Sequence, residues 1–383
     1  MVRMKVLVTG SRGFIGKNLI MKLKEEKDLE ILEYDKDMDQ NQLERYCKEV
    51  DFVYHLAGIN RTDDEEEFIQ GNAGFTLDLL ELLSKYNKGC PLMLASSIQA
   101  TYENSYGKSK KAAEELVLSY SIINQAKVFI YRLPNVFGKW CKPNYNSVVA
   151  TFCYNIPRNL PITIHDPEKV ITLVYIDDLV NELIGLLQLE ESHLINSNNF
   201  YEILPTYSIS LKKIAQLLSS FQKARSNGYI PDLADEFTKK LYSTYLSYLP
   251  EGALSYKLTM HCDDRGSFTE FLKSDHSGQI SINVIKPGII KGNHYHHTKV
   301  EKFLVISGRG VIRLKHVISG QILEFYVSSE ALEVIEIPVG YTHNIENLGK
   351  QDMIVLIWCN EIFDKNKLDT YMFPIESTND ILS

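Results

Sequence analysis

The sequence predicts two fold classes in one chain. A doubly wound parallel α/β sheet covers residues 1–250, and an all-β barrel or jelly roll covers residues 253–375, with the boundary near Pro250-Glu251-Gly252. Three observations predict this. A short β-branched run, Lys5–Thr9, enters a glycine-rich turn and then an apolar helical period. Strand and helix patterns alternate through the first half, the order that builds a parallel sheet. Beyond residue 278 the texture changes to short runs that alternate apolar and polar residues, the pattern of an antiparallel barrel.

Taken in order, Lys5–Thr9 is a buried first strand, followed by Gly10-Ser11-Arg12-Gly13-Phe14-Ile15-Gly16. Ile15, Leu19 and Leu23 then share one helical face. Strand, glycine turn and helix form a phosphate-binding unit: the glycines admit a pyrophosphate close to the backbone, and the helix start offers free N–H groups. A second strand, Ile31–Tyr34, ends in Asp35. A third, Asp51–His55, leads to Leu56-Ala57-Gly58, a small-residue turn against which adenine or ribose can lie. Ala73 to Leu83 reads as a core helix with Ala73, Leu77 and Leu80 in phase. The strand Pro91–Ala95 carries Ser96 and Ser97 at its carboxyl end, where ligands bind in open α/β sheets.

Tyr106 and Lys110 follow at i and i+4, on one helical face. An ammonium beside a phenol lowers the phenol's pKa and suits it to donate a proton near neutrality, while an upstream serine holds the reacting carbonyl. A Tyr-x-x-x-Lys pair alone is common and means little. Its place after the glycine turn, the Leu-Ala-Gly turn and the serine-bearing strand carries the reading.

These segments resemble the extended short-chain dehydrogenase/reductase family, whose members mostly act on nucleotide sugars and whose dinucleotide fold is of Rossmann type. Thr9 to Gly16, His55 to Gly58, Ser96-Ser97 and Tyr106/Lys110 carry the resemblance. It implies catalytic roles for Ser97 (polarising the carbonyl), Tyr106 (proton donor) and Lys110 (tuning the phenol and holding the ribose). It implies NAD(P) contacts along Gly10, Ser11, Arg12, Gly13, Phe14, Ile15, Gly16, Leu56, Ala57 and Gly58. Arg132-Leu-Pro-Asn135 and Val174-Tyr-Ile-Asp177-Asp178 resemble that family's substrate-side segments, with Arg132 and Asn135 as substrate contacts. Cofactor choice turns on charge. Asp35 favours a free ribose 2′-hydroxyl and hence NADH, whereas Arg12 and Lys36 suit the 2′-phosphate of NADPH.

Leu211–Phe221 reads as a helix and the tyrosine-rich stretch 241–250 as a packed amphipathic one. In the second half, His294 and His296 stand at i and i+2 on one strand, Glu301 follows, and His343 lies some forty residues on. Histidines and a carboxylate carried on strands suit a divalent metal such as zinc. Gly288, His294, His296, Glu301 and Gly308 match the first cupin motif, and Pro338, Gly340, His343 and Asn347 match the second, except that Leu332 replaces an expected glycine. A metal-free cupin, with the histidines as acid/base groups, is the alternative.

Asp263-Asp-Arg265-Gly-Ser-Phe268-Thr-Glu270 resembles a segment of the cupin epimerases that act on nucleotide 4-keto-6-deoxy sugars. The resemblance implies a forked Arg265 contact to a diphosphate and a substrate-side Glu270. Lys291-Gly-Asn-His294-Tyr295 matches the context of those enzymes' catalytic base, so His294 is either ligand or base. If it is a ligand, Glu270, His297 and Tyr341 are the remaining candidates for the base.

The two halves together resemble the bifunctional epimerase/reductase family of capsular polysaccharide synthesis. That resemblance implies a UDP-sugar substrate, NADPH, zinc in the cupin and a homodimer. Two rivals are a plain ketoreductase whose cupin only binds sugar or mediates dimerisation, and a non-catalytic nucleotide-sugar sensor. Bulk properties agree with an enzyme of the cytoplasm. The 383 residues are 44% hydrophobic and 23% charged with a net charge of −8, and they carry no basic tract of the kind that binds nucleic acid. No stretch is apolar enough to suggest a membrane span or signal peptide, and the six cysteines form no Cys-x-x-Cys pair.

Overall fold

The computed structural model describes residues 3–188 and 199–375. The chain forms two compact units. Met1–Ser219 and Glu236–Pro250 make the first; Ser220–Asp235 and Glu251–Ser383 make the second. Residues 220–235 therefore group with the barrel rather than the α/β unit. Backbone bonds explain why: Ile230 N–H donates to Lys273 O (2.7 Å) and Lys273 N–H to Gly228 O (2.9 Å), tying this segment to a barrel strand.

The first unit contains β1 (Met4–Thr9), β2 (Leu29–Tyr34), β3 (Phe52–His55), β4 (Leu92–Ser97), β5 (Val128–Leu133), β6 (Asn135–Phe137), β7 (Val170–Tyr175), β8 (Phe200–Tyr201) and β9 (Tyr207–Ser210). One sheet has the order β2-β1-β3-β4-β5-β8, all parallel. Strand order reverses beside β1, so the carboxyl ends of β1, β3 and β4 border the crevice where such sheets bind ligands. Apolar side chains cover both sheet faces: Val6, Val8 and Phe52 pack with the helix Phe14–Leu23, while Leu7, Val53 and Leu92 pack on the other side. β6, β7 and β9 form a separate small sheet.

One helical phase departs from expectation. Leu77 is 42% exposed rather than in the core with Ala73 and Leu80. A π-helical turn, Ile69–Gly74, precedes the α-helix Phe75–Tyr86 and rotates it, so that Thr76, Leu79, Leu80 and Leu83 face inward.

The second unit contains β10 (Met260–Asp263), β11 (Gly266–Ser274), β12 (Gly278–Ile285), β13 (Ile290–Tyr295), β14 (Glu301–Ser307), β15 (Arg309–His316), β16 (Ile322–Ser328), β17 (Val334–Ile337), β18 (Tyr341–Asn347), β19 (Met353–Cys359) and β20 (Tyr371–Met372). They form two antiparallel sheets, β10-β11-β12-β19-β14-β17 and β16-β15-β18-β13-β20. Val305, Val355 and Ile357 from one sheet and Ile312, Leu314 and Ile345 from the other share one core, the jelly-roll arrangement expected of a cupin. Among the described residues no helix is long and apolar enough to cross a membrane.

Candidate active sites

In the first unit the glycine turn is built for close approach. Gly10 has φ +67°, and a Cβ there would lie 2.8 Å from Ala57 N; a Cβ on Gly16 would lie 2.3 Å from Gly10 O. The turn thus packs directly under Ala57, and the helix Phe14–Leu23 starts at Gly13 without a side-chain cap. Its first N–H groups remain free for a phosphate, so these residues fit a dinucleotide. Ser11 N–H donates to Tyr34 O (3.2 Å) and Arg12 N–H to Asp35 Oδ2 (2.8 Å), which bring the end of β2 beside the turn. Asp35 Oδ1 accepts from Lys36 N–H (2.9 Å), and the Arg12 guanidinium pairs with Asp37.

Ser97, Tyr106 and Lys110 converge on one cavity of about 610 Å³, which Arg12, Gly13, Phe14, Ile15, Leu56, Gly58 and Asn135 also line. The 3-10 turn Ile98–Thr101 is capped by Ser97, whose Oγ accepts from Gln99 N–H (3.2 Å). The Tyr106 ring meets Phe68 edge-on at 5.6 Å, which fixes its direction. Burial pushes the Tyr106 phenol up from its ordinary value, and a hydrogen bond with Ser97 offsets part of this. The lowering expected from Lys110 does not dominate, because the phenol is largely out of water. Lys110 is itself fully enclosed: burial pulls it down to about 8, against the opposing pull of Glu114.

Arg132 does not reach the cavity. Its guanidinium donates to both oxygens of buried Glu114 (2.9 and 2.7 Å) and stacks over Phe200 at 4.3 Å. Ser96 donates to the same carboxylate. Glu114 lies one turn beyond Lys110, a position sequence reasoning missed, although the i, i+4 spacing was a usable signal. Asn72 was missed too. Its amide bridges Ile59 and Ser109, and its Oδ1 sits under Gly58, where a Cβ would approach it to 2.5 Å.

In the second unit His294, His296, Glu301 and His343 come together, with one candidate ligand atom from each lying within 4.8 Å of the others. β13 carries His294, His296 lies just past its end, β18 carries His343, and Glu301 opens β14. Glu301 Oε2 is 3.1 Å from His343 Nε2 and 3.5 Å from His296 Nε2. His296 Nε2, Glu301 Oε2 and His343 Nδ1 are buried without a hydrogen-bond partner among the described residues. Such atoms cost about 1–3 kcal/mol each when unsatisfied, and a cation among the four side chains would offset much of that. The donor set fits a divalent metal such as zinc. Burial, together with His343 and His296, holds His294 down at about 4, so its imidazole is neutral and able to ligate. Burial raises the Glu301 carboxyl, but the His296 and His343 imidazoles beside it outweigh this and hold the group well below its usual range. Cys359 Sγ donates to Glu301 Oε1 at 3.2 Å and backs the ligand.

The cluster borders a cavity of about 750 Å³, lined also by Arg265, Glu270, Asn283, Lys291 and Phe303. Arg265 is closed on Asp263 through two N–H bonds (3.0 and 2.7 Å), and Glu270 pairs with Lys273 at 2.5 Å. His297 and Tyr341 lie outside the cavity lining, whereas Glu270 lies within it.

The fold and these two sites define a class: a dinucleotide-binding α/β unit with a Ser-Tyr-Lys constellation, joined to a jelly roll with a His-Glu cluster fit to hold a metal. The chain belongs to the NAD dependent epimerase/dehydratase family, whose model matches residues 6–197, and the polysaccharide biosynthesis C-terminal domain model matches residues 261–371. It is 43% identical to a UDP-2-acetamido-2,6-beta-L-arabino-hexul-4-ose reductase of Pseudomonas aeruginosa over 96% of this chain and 98% of that one. The crystal structure of the capsular polysaccharide assembling protein CapF from Staphylococcus aureus superposes with a TM-score of 0.91 at 47% identity, covering 97% of this chain and 100% of that chain. The resemblance to the capsular polysaccharide family is thereby borne out. A Thermus thermophilus UDP-glucose 4-epimerase complexed with NAD shares the fold alone, at 19% identity and TM-score 0.53 over 64% of this chain and 99% of that one.

Proposed function

We propose that the chain is a bifunctional nucleotide-sugar enzyme. Its second unit inverts C3 of a UDP-2-acetamido-2,6-dideoxy-4-ketohexose. Its first unit then reduces the C4 ketone with NADPH, giving UDP-2-acetamido-2,6-dideoxy-L-talose on the route to UDP-N-acetyl-L-fucosamine. The observation that carries the reading is the convergence of Ser97, Tyr106 and Lys110 on the cavity beside the glycine turn. The printed activity of the 43% identical relative, a reductase of a UDP-hexulose, names a matching substrate class.

Bound at the glycine turn, NADPH supplies the hydride. Ser97 donates to the C4 oxygen and polarises the ketone, and Tyr106 delivers the proton that turns the developing alkoxide into a hydroxyl. Lys110, placed under Gly58, holds the nicotinamide ribose and supports the phenol as it loses its proton. NADPH over NADH rests on Arg12 and Lys36 at the end of β2. The Arg12–Asp37 pair is exposed, and such pairs contribute only about 0–1 kcal/mol, so Arg12 exchanges it for a 2′-phosphate at little cost.

In the second unit His294, His296, Glu301 and His343 would hold a zinc ion, which when bound would supply Lewis-acid stabilisation of negative charge. A C3 proton next to a ketone is acidic enough to leave when the resulting enolate is stabilised. Glu270 and Arg265 line the cavity as a carboxylate near the sugar and a forked contact for the diphosphate. The family relationship implies a homodimer acting in the cytoplasm, and light scattering on the purified protein tests the first.

Proton NMR of the UDP-4-keto sugar in D2O, with protein and no NADPH, tests the whole reading. Loss of the C3 proton signal, followed by consumption of the ketone on adding NADPH, is the expected result. Reduction without prior exchange would leave a plain ketoreductase.

A further inference from the structure

Lys291 precedes His294 by three residues, a spacing that points two side chains to opposite faces of a regular strand. In β13 it does not. Gly292 pairs with Asn344 and His294 with His343, so Asn293 is an extra residue, and it sits in the left-handed region at φ +62°. The bulge reverses the alternation. Lys291 and His294 therefore both line the 750 Å³ cavity, as do Ile345 and His343, their partners on β18.

The Lys291 ammonium is anchored by neutral acceptors. It donates to Asn283 Oδ1 and to Val284 O, both at 2.9 Å, and Asn283 is only 7% exposed. An ammonium has three N–H groups, so one remains for the cavity. Among the described residues no carboxylate forms an ion pair with Lys291, whereas Arg265 is closed on Asp263. An anchored cation with no direct ion pair among the described residues and one free donor, beside the His-Glu cluster, matches an oxygen that gains negative charge during reaction.

We infer that Lys291 donates its free N–H to the C4 keto oxygen of the sugar as that oxygen becomes an enolate. The inference rests on the C3 epimerisation proposed above. In that step the C3–H bond breaks and its proton goes to a carboxylate or imidazole of the cavity wall. The C–H electron pair forms the C3=C4 bond, and the carbonyl π pair moves to the C4 oxygen, where Lys291 meets it. Return of a proton to the opposite face of C3 restores the ketone, with no net oxidation or reduction.

Lys291→Met and Lys291→Gln test this through C3 deuterium exchange of the UDP-4-keto sugar without NADPH. The glutamine variant keeps a hydrogen bond to Asn283 and so protects against misfolding. The expected result is a fall in the exchange kcat of about 10²–10³-fold in Lys291→Met. KM for the sugar, affinity for UDP, zinc content and melting temperature should stay near those of the unaltered protein. Unchanged exchange in both variants overturns the inference. A weaker affinity for UDP with an unchanged kcat also overturns it, by making Lys291 a phosphate contact. If the unaltered protein fails to exchange C3, the epimerase reading itself falls, and the role of Lys291 falls with it.

Discussion

The backbone carbonyl of Asp369 accepts the Nδ1 hydrogen of His296. A carbonyl can only accept, so this contact sets the tautomer and turns the Nε2 lone pair toward Glu301 and His343. The Asp369 carboxylate in turn accepts from the N–H groups of His297, Thr298 and Lys299 (2.8 to 3.1 Å). A segment near the C-terminal end of the described chain thus orients one imidazole of the His-Glu cluster. Asp369→Ala should weaken zinc binding by about 10–100-fold, measured by competition with a chromogenic chelator. Unchanged affinity would show that β20 alone holds the segment in place.

On the proposed function, Lys110 should give C4 reduction an alkaline limit. Burial holds it at about 8, below its ordinary 10.5, so its positive charge is present below pH 8 and is lost as pH rises through that value. The kcat/KM for C4 reduction should fall about tenfold per pH unit above the limb. Glu114 pulls the lysine up, so Glu114→Gln should move the limb to lower pH. A pH profile of the two proteins decides it, and coincident limbs would rule out Lys110 as the titrating group.

The two chemistries should separate by mutation. Tyr106→Phe removes the proton donor and should slow C4 reduction by about 10²–10⁴-fold while leaving C3 exchange in place. His296→Ala should do the reverse when an already epimerised ketone is supplied. Loss of both activities in either variant would argue for one shared site.

Arg12→Ala should raise KM for NADPH relative to NADH by about tenfold, since a charge-assisted contact is worth roughly 1.5–3 kcal/mol less the exposed Asp37 pair that it replaces. Steady-state kinetics with both cofactors measure this. An unchanged ratio would shift the preference to NADH, in keeping with Asp35.

Much of this is legible in the sequence. The glycine turn, Tyr106/Lys110 and the spacing of His294, His296, Glu301 and His343 are local patterns, and their period or order carries the chemistry. Arg132 was not legible in this way. Its segment resembled a substrate contact, but a buried carboxylate on another element, Glu114, takes the guanidinium. Leu77 misled for a related reason, because the π-turn before it changed the helical phase.

The sequence by itself determined the strand–glycine turn–helix unit, the change from an alternating α/β half to a half of short antiparallel strands, and the residue types at both sites, because hydrophobic period, glycine turns and ligand spacing act over a few neighbouring residues. Only the tertiary structure decided that Lys291 shares a face with His294, that Asp369 orients His296, and that Glu114 sits between Ser96 and Arg132. Each depends on which distant segment pairs with a given strand and where an extra residue is accommodated. That choice is made by the packing of the whole unit, and alternation along a single strand does not encode it.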